Sequence, residues 1–202
     1  MPLWLAARPL LLASNSAARR TLLQAAGVAI QVKPAAIDER AIEARAGLTD
    51  AGVVAALLAR EKALAVAAGD PDAMVLGADQ TLSLGERRFS KAPDRAAARE
   101  QLGALRGNTH TLHSAVAVVR GGTVLFEHVD AAALTMRKFS DQFLERYLDA
   151  VGDAALASVG GYQLEGAGVQ LFDRVEGDHF TVLGLPLLPL LDWLRRAGLL
   201  AK

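Results

Sequence analysis

Leu10-Leu11-Leu12-Ala13-Ser14-Asn15-Ser16-Ala17-Ala18-Arg19-Arg20-Thr21-Leu22-Leu23 decides how this 202-residue chain begins to fold. A short apolar run, of a length that suits a buried strand, ends in serines. A helix follows: Ser16 is placed to cap it, Leu22, Leu23 and Ala26 give it an apolar stripe, and Gly27 stops it. Its first turn carries Arg19 and Arg20. A helix N-terminus already bears partial positive charge and unpaired N–H groups, so cations there are locally unfavourable. They make sense beside an anion, and phosphate is a common guest at a strand-to-helix turn. The same two arginines also suit a solvated surface helix, and this segment alone does not choose.

Beyond this stretch, strand and helix patterns alternate in the first half. Ile30 to Lys33 reads as a short strand, and Pro34 to Arg45 as a polar loop carrying Asp38-Glu39-Arg40. Asp50 caps a long helix to about Ala68, closed by Gly69. Met74 to Ala78 reads as a buried strand ending at Asp79, and Asp94 caps a helix that ends at Gly107. In the second half, Leu112 to Val119 and Val124 to Val129 flank a Gly121-Gly122 turn and read as a hairpin, which Ala131 to Arg137 extends into a meander. Ser140 caps a helix to about Ala150. Tyr162 to Phe172 looks like an extended pair turning near Gly166 to Gly168, and an amphipathic helix from Leu187 to Ala197 finishes the chain. No repeat or linker interrupts this order. It predicts an α/β chain with a mixed sheet and flanking helices, built over residues 1–202 as one large domain or two closely joined lobes.

Composition narrows the function. Lys+Arg and Asp+Glu both number 22, so no global field attracts nucleic acid or an anionic membrane. There is no cysteine, which removes disulfides, thiolate metal sites and cysteine nucleophiles. Arg8-Pro9 interrupts the apolar start, and no basic segment precedes it, so a signal peptide is not expected. No stretch reaches membrane-spanning length. The expectation is a cytoplasmic protein without nucleic-acid or membrane partners.

The chemistry-bearing residues are scattered but of one kind. Asp79 follows an apolar strand, where α/β proteins collect ligands, although an aspartate there also caps loops. On the helix from Ala51, the residues Val53, Val54, Leu57, Leu58, Leu64 and Ala65 define an apolar face with Glu61 near its middle and Lys62 at its flank. Lys62 there suits either a buried partner or a snorkelling stem. Glu39 is an acidic loop group, and Lys91 is a cation near a helix start. His110, His113, His128 and His179 lack metal-ligand spacing, and the first three read as strand or loop residues without function. No Walker loop, dinucleotide fingerprint or nucleophile elbow is present. The inventory is phosphate chemistry without a covalent nucleophile: Arg19, Lys62 and Lys91 to bind a polyphosphate, Asp79 and Glu39 to hold a metal and deprotonate water.

The order of these motifs resembles the Maf family of nucleotide pyrophosphatases, also named for inhibition of septum formation. Leu12 to Leu23 is similar to the family's opening LASxSxxRRxLL, Asp38-Glu39 to its DE and Glu61-Lys62-Ala63 to its EKA. Gly77-Ala78-Asp79-Gln80 falls on its (G/A)xD(T/Q), Lys91 on its lysine before proline, and Gly107-Asn108-Thr109-His110 on its SGxxH-like element. Gly161 to Gly166, Val175 to Asp178 and Val182 to Pro186 resemble its GxYxIQG, IEGD and VxGLP elements.

The resemblance implies an elongated two-lobed α/β fold around a central cleft, similar to inosine triphosphatases, and frequent homodimers. It implies Mg²⁺- or Mn²⁺-dependent hydrolysis of a nucleoside triphosphate to monophosphate and pyrophosphate. Asp79 falls on the family's proton acceptor, with Lys62 and Glu39 beside it in the catalytic set. Ser14, Arg19, Lys62 and Lys91 fall on phosphate-binding positions, and Glu39 and Asp79 on the metal side. Gln80 and Glu165 replace the threonine and glutamine of the branch that cleaves dTTP and UTP, as in the branch that cleaves 7-methyl-GTP. Ala18 stands where that second branch has tryptophan, and Ala92 separates Lys91 from Pro93. The alternatives are dTTP/UTP specificity and a nucleotide-binding regulator of cell division. A positioned base favours the enzyme, because a sensor has no need of one.

Overall fold

The structure, a computed structural model, describes residues 2–202. Its first strand and helix follow the opening sequence closely. β1 (Leu10–Leu12) is fully buried, and α1 (Ala17–Ala25) is capped by Ser16, whose side chain accepts from the Arg19 amide. The chain continues through β2 (Ile30–Val32), α2 (Glu39–Ala46), α3 (Ala51–Ala67), β3 (Val75–Leu84), β4 (Arg87–Phe89) and α4 (Arg95–Leu105). The second half comprises β5 (Thr109–Arg120), β6 (Thr123–Met136), α5 (Asp141–Val151), α6 (Ala154–Ala157), β7 (Phe172–Glu176), α7 (His179–Val182) and α8 (Leu187–Arg196). Seven strands form a mixed sheet of order β2-β1-β3-β5-β6-β7, with β4 pairing β3.

Two compact units divide the chain. The first comprises Met1–Gln80, His113–Asp130 and Asp178–Lys202, and the second Thr81–Leu112 and Ala131–Gly177. In the first unit β1 pairs in parallel with β2 and with β3, in register Leu11 to Val75 and Leu12 to Leu76. Alternation then sorts side chains to opposite faces of the sheet. Leu10, Leu12, Leu76, Ala78, Val116 and Val118 meet the leucines of α8 and Leu23 of α1. Leu11, Ala13, Val75 and Val119 meet Ala63, Val66 and Ala67 of α3.

That second face is built from small residues for a steric reason. A Cβ on Gly77 would lie 1.9 Å from the Ala59 carbonyl oxygen and 2.8 Å from the Ala63 nitrogen, so strand and helix touch backbone to backbone. Only glycine on β3 and alanine on α3 permit this approach. It explains why the apolar face expected from valines and leucines holds only in part, with Val54 and Leu58 buried as expected. Val53 is 49% exposed and Ala65 is exposed, whereas Ala55, Ala59 and Ala63 are fully buried. Glu61 is therefore only half-buried.

In the second unit β3 turns through β4, with Leu82 opposite Phe89, and β6 pairs antiparallel with β7. His110 and Tyr162 are buried side by side there, with the His110 Nε2 2.6 Å from the Tyr162 hydroxyl.

Three expectations for the elements are corrected. Residues 39–46 form α2 rather than a loop, capped by Asp38 accepting from Ala41 N and stopped by Gly47 in the left-handed region. The strand expected to end at Asp79 runs on to Leu84, because long-range partners satisfy the polar side chains at its middle. The extended pair expected over 162–172 is a turn followed by a 3₁₀ helix, Ala167–Leu171. A Cβ on Gly168 would lie 2.4 Å from the Gln163 carbonyl oxygen, so the chain doubles back tightly rather than extending.

Candidate active site

β1 ends at Leu12, but its neighbour β3 continues, so the chain after β1 turns away and α1 begins beside the middle of β3. This places Ser14 and Arg19 against Ala78-Asp79-Gln80, all within the first unit. Arg19 is only 9% exposed. Its Nε donates to the Gly184 carbonyl at 2.8 Å, and its Nη1 donates to the Ala78 carbonyl at 2.8 Å and to the Ser14 Oγ at 3.1 Å. Ser14 Oγ also accepts from the Ser16 amide at 3.2 Å. A hydroxyl accepts two bonds and donates one, so Ser14 retains its proton for a ligand. Burial pushes the Arg19 guanidinium below its ordinary pKa, opposed by the charges of Asp79 and Glu39. The two acids are thus its electrostatic neighbours.

Lys62 joins those acids. Its Nζ lies 2.5 Å from Asp79 Oδ1 and 2.9 Å from Glu39 Oε1. The side chains of Lys62 and Asp79 are 12% and 10% exposed, while Glu39 is 47% exposed at the first turn of α2. Helix and strand therefore set a cation between one buried and one open carboxylate. Burial raises the Asp79 carboxyl above its ordinary pKa, with Lys62 and Arg19 pulling it back. A carboxylate so placed is a stronger base than a solvated one and retains a cation to stabilise its ionised form.

Gln80 is tied into the protein. Its Nε2 lies 3.0 Å from Ser114 Oγ, 3.1 Å from the Thr181 carbonyl and 3.1 Å from the Val182 carbonyl. Two amide hydrogens facing three acceptors are fully committed, leaving only Oε1 toward any ligand. Ser114 also donates to the Thr181 carbonyl at 2.7 Å, and Thr181 donates to Asp130 at 3.0 Å. Sequence reasoning missed Ser114, Thr181 and Gly184 as supports for the site. The Gly184-Leu185-Pro186 motif was visible, but nothing local indicates that its carbonyl receives Arg19.

Ser14, Arg19, Glu39, Lys62, Asp79 and Gln80 are thus brought together. Lys91 and Glu165 belong to the second unit. Lys91 is exposed and bridges to Val159 in an isolated antiparallel pair, and Glu165 is exposed on the turn before the 3₁₀ helix. No group of three or more histidine or acidic side chains that could hold a metal occurs among the described residues. Glu39 and Asp79 remain an oxygen donor pair, suited to Mg²⁺, which takes one or two protein carboxylates and completes its shell with water and phosphate.

The family model described as Maf-like protein matches residues 9–197. A protein of Rhodopseudomonas palustris named nucleoside triphosphate pyrophosphatase is 55% identical over 201 residues, covering 100% of both chains. One of the same name from Nitrobacter winogradskyi is 54% identical over the full length of both. A protein of Rhizobium etli named 7-methyl-GTP pyrophosphatase is 53% identical over 94% of this chain and 96% of its own.

Proposed function

This chain belongs to the Maf-like protein family, and we propose that it is a nucleoside triphosphate pyrophosphatase in which Asp79 accepts the proton of the attacking water. The observation that carries the reading is the buried Asp79 paired at 2.5 Å with Lys62, beside Arg19 at the start of α1. The reaction is hydrolysis of the anhydride between the α- and β-phosphates, yielding monophosphate and pyrophosphate. Ser14 donates its free proton to a phosphate oxygen. The two N–H groups of Arg19 Nη2, beyond those spent on Ala78, Ser14 and Gly184, supply a charge-assisted pair. Lys62 neutralises charge that develops on the phosphate oxygens. Glu39 and Asp79 would hold the divalent cation, which supplies Lewis-acid polarisation of a phosphoryl oxygen when bound. The chain has no cysteine, and Ser14 Oγ has both lone pairs engaged by Arg19 and the Ser16 amide, so a positioned base here fits direct attack by water.

For the base we infer a guanine nucleotide of the 7-methyl-GTP kind. The name of the Rhizobium etli relative supports this, as does Glu165, whose carboxylate accepts but does not donate and so suits the adjacent N1–H and N2 amino donors of guanine. Gln80, its donors spent inside the protein, takes the role of a support.

The test is product analysis on a panel of nucleoside triphosphates with Mg²⁺, separating pyrophosphate from orthophosphate. Pyrophosphate is expected, with 7-methyl-GTP leading dTTP and UTP in kcat/KM. Asp79→Asn is expected to lose about 10²–10⁴-fold in kcat, the usual contribution of a general base, with affinity for metal-free nucleotide within a few-fold. Orthophosphate release would overturn the reaction, wild-type kcat in Asp79→Asn would overturn the role of Asp79, and a lead for dTTP or UTP would overturn the base.

A further inference from the structure

Lys62 and Arg19 are both cations beside Asp79, yet they are held in different ways. Arg19 is fixed by three hydrogen bonds, two of them to backbone carbonyls. Lys62 is held by the two carboxylates that it neutralises, at the end of a flexible four-carbon stem. Those are the same two carboxylates that fit the divalent cation. The local charges balance: Asp79 and Glu39 against Lys62 and Arg19.

We propose, on the reading of the site given above, that Lys62 holds the cation's place until nucleotide arrives, so that metal enters with the nucleotide and not before it. A divalent ion arriving alone must take carboxylate oxygens from Lys62. That leaves the ammonium of a lysine whose side chain is only 12% exposed beside a doubly charged ion. Like charges at such range in a partly desolvated site repel strongly. A metal–triphosphate complex is instead anionic overall. Its phosphate oxygens accept the ammonium as the carboxylates release it, so every charge keeps a partner. Arg19 does not move in this exchange, because its guanidinium is committed to Ala78 and Gly184. The flexible cation is displaced and the rigid one is the anchor.

The experiment is a titration of nucleotide-free protein with Mn²⁺ alone, read by loss of the electron paramagnetic resonance signal of free Mn²⁺. Wild type, Lys62→Met, Lys62→Arg and the double variant Lys62→Met/Asp79→Asn are compared, each checked for folding by circular dichroism. Lys62→Met is expected to bind Mn²⁺ at least tenfold more tightly than wild type. Lys62→Arg, which keeps the charge, stays near wild type, and the double variant loses the gain. If Lys62→Met does not fold, Lys62→Gln takes its place with the same expectation. Equal Mn²⁺ affinity in wild type and the uncharged variant overturns the inference, as does a gain that persists without Asp79. A protein that releases pyrophosphate but shows equal Mn²⁺ affinities keeps the proposed function and loses only this inference. A protein that releases none from any triphosphate loses both.

Discussion

Replacing Gly77 with alanine tests whether the catalytic pair depends on backbone contact between β3 and α3. The new Cβ would lie 1.9 Å from the Ala59 carbonyl oxygen, 2.8 Å from the Ala63 nitrogen and 3.0 Å from the Ala63 Cβ. The two shortest contacts are to backbone, so no rotamer change relieves them. Bringing them to ordinary van der Waals distance requires α3 to retreat locally by about 1 Å or more, in an interior packed as densely as a crystal. Overpacking of this kind costs about 1–3 kcal/mol and occasionally more, and the absence of a flexible neighbour places Gly77→Ala at or above the upper end. For a chain of this size that lowers Tm by roughly 6–12 °C. The displacement also reaches the site, since Lys62 adjoins Ala63 on the helix and Asp79 lies two residues beyond Gly77 on the strand. Misplacing catalytic groups by about 1 Å can cost on the order of 10²-fold in rate. Urea unfolding followed by circular dichroism measures the first effect, and kcat at a temperature where the variant is folded measures the second. Gly103→Ala is the control: its Cβ meets nothing within 4 Å in α4, so helix propensity alone should stabilise it by up to about 1 kcal/mol. A Gly77→Ala protein with the wild-type urea midpoint and a kcat within twofold would refute the reasoning.

Two further outcomes follow from the same structure. Arg19→Lys keeps a charge but cannot reproduce the fork that reaches Gly184, Ala78 and Ser14, so it should lower the urea midpoint as well as weaken triphosphate binding; binding loss without any change in stability would show that the three internal bonds contribute nothing. His110 is held neutral by burial, its pKa lowered to about 4 from 6.5, and its Nδ1 is buried without a hydrogen-bond partner. The unfolded chain therefore binds the proton first as pH falls. The stabilisation is complete above about 6.5 and is lost progressively down to about 4, an effect on the order of 3 kcal/mol. Denaturant midpoints measured between pH 7 and 4 should fall less steeply in His110→Phe than in wild type, and identical slopes would exclude His110 as a source.

What could be read from the sequence was what local chemistry determines. β1 and α1 follow from an apolar run, a serine cap and a closing glycine within one short stretch. α2 escaped because none of its residues is buried, so no apolar period marks it; its signals were Asp38 and Gly47, a cap and a stop without a stripe between them. The length of β3 escaped because Asp79 and Gln80 look like a strand's end until Lys62, Ser114 and Thr181 are seen to satisfy them. The acid and the cations of the site were visible as residue types at motif positions. Their division of labour was not, because whether a glutamine faces a ligand or three internal acceptors is decided by segments 34, 101 and 102 residues away.

The route of the chain through the first unit has a consequence for synthesis on the ribosome. The clustered charged groups Arg19, Glu39, Lys62 and Asp79 all lie within the first eighty residues, but Ser114, Thr181 and Gly184, which hold Gln80 and Arg19, are translated later. A nascent chain therefore displays its acids and cations well before it contains the acceptors that orient them. Release from the tunnel of the segment that ends in α8 is then the event that completes the enzyme, and a chain truncated before Gly184 carries every reactive group without the means to aim them.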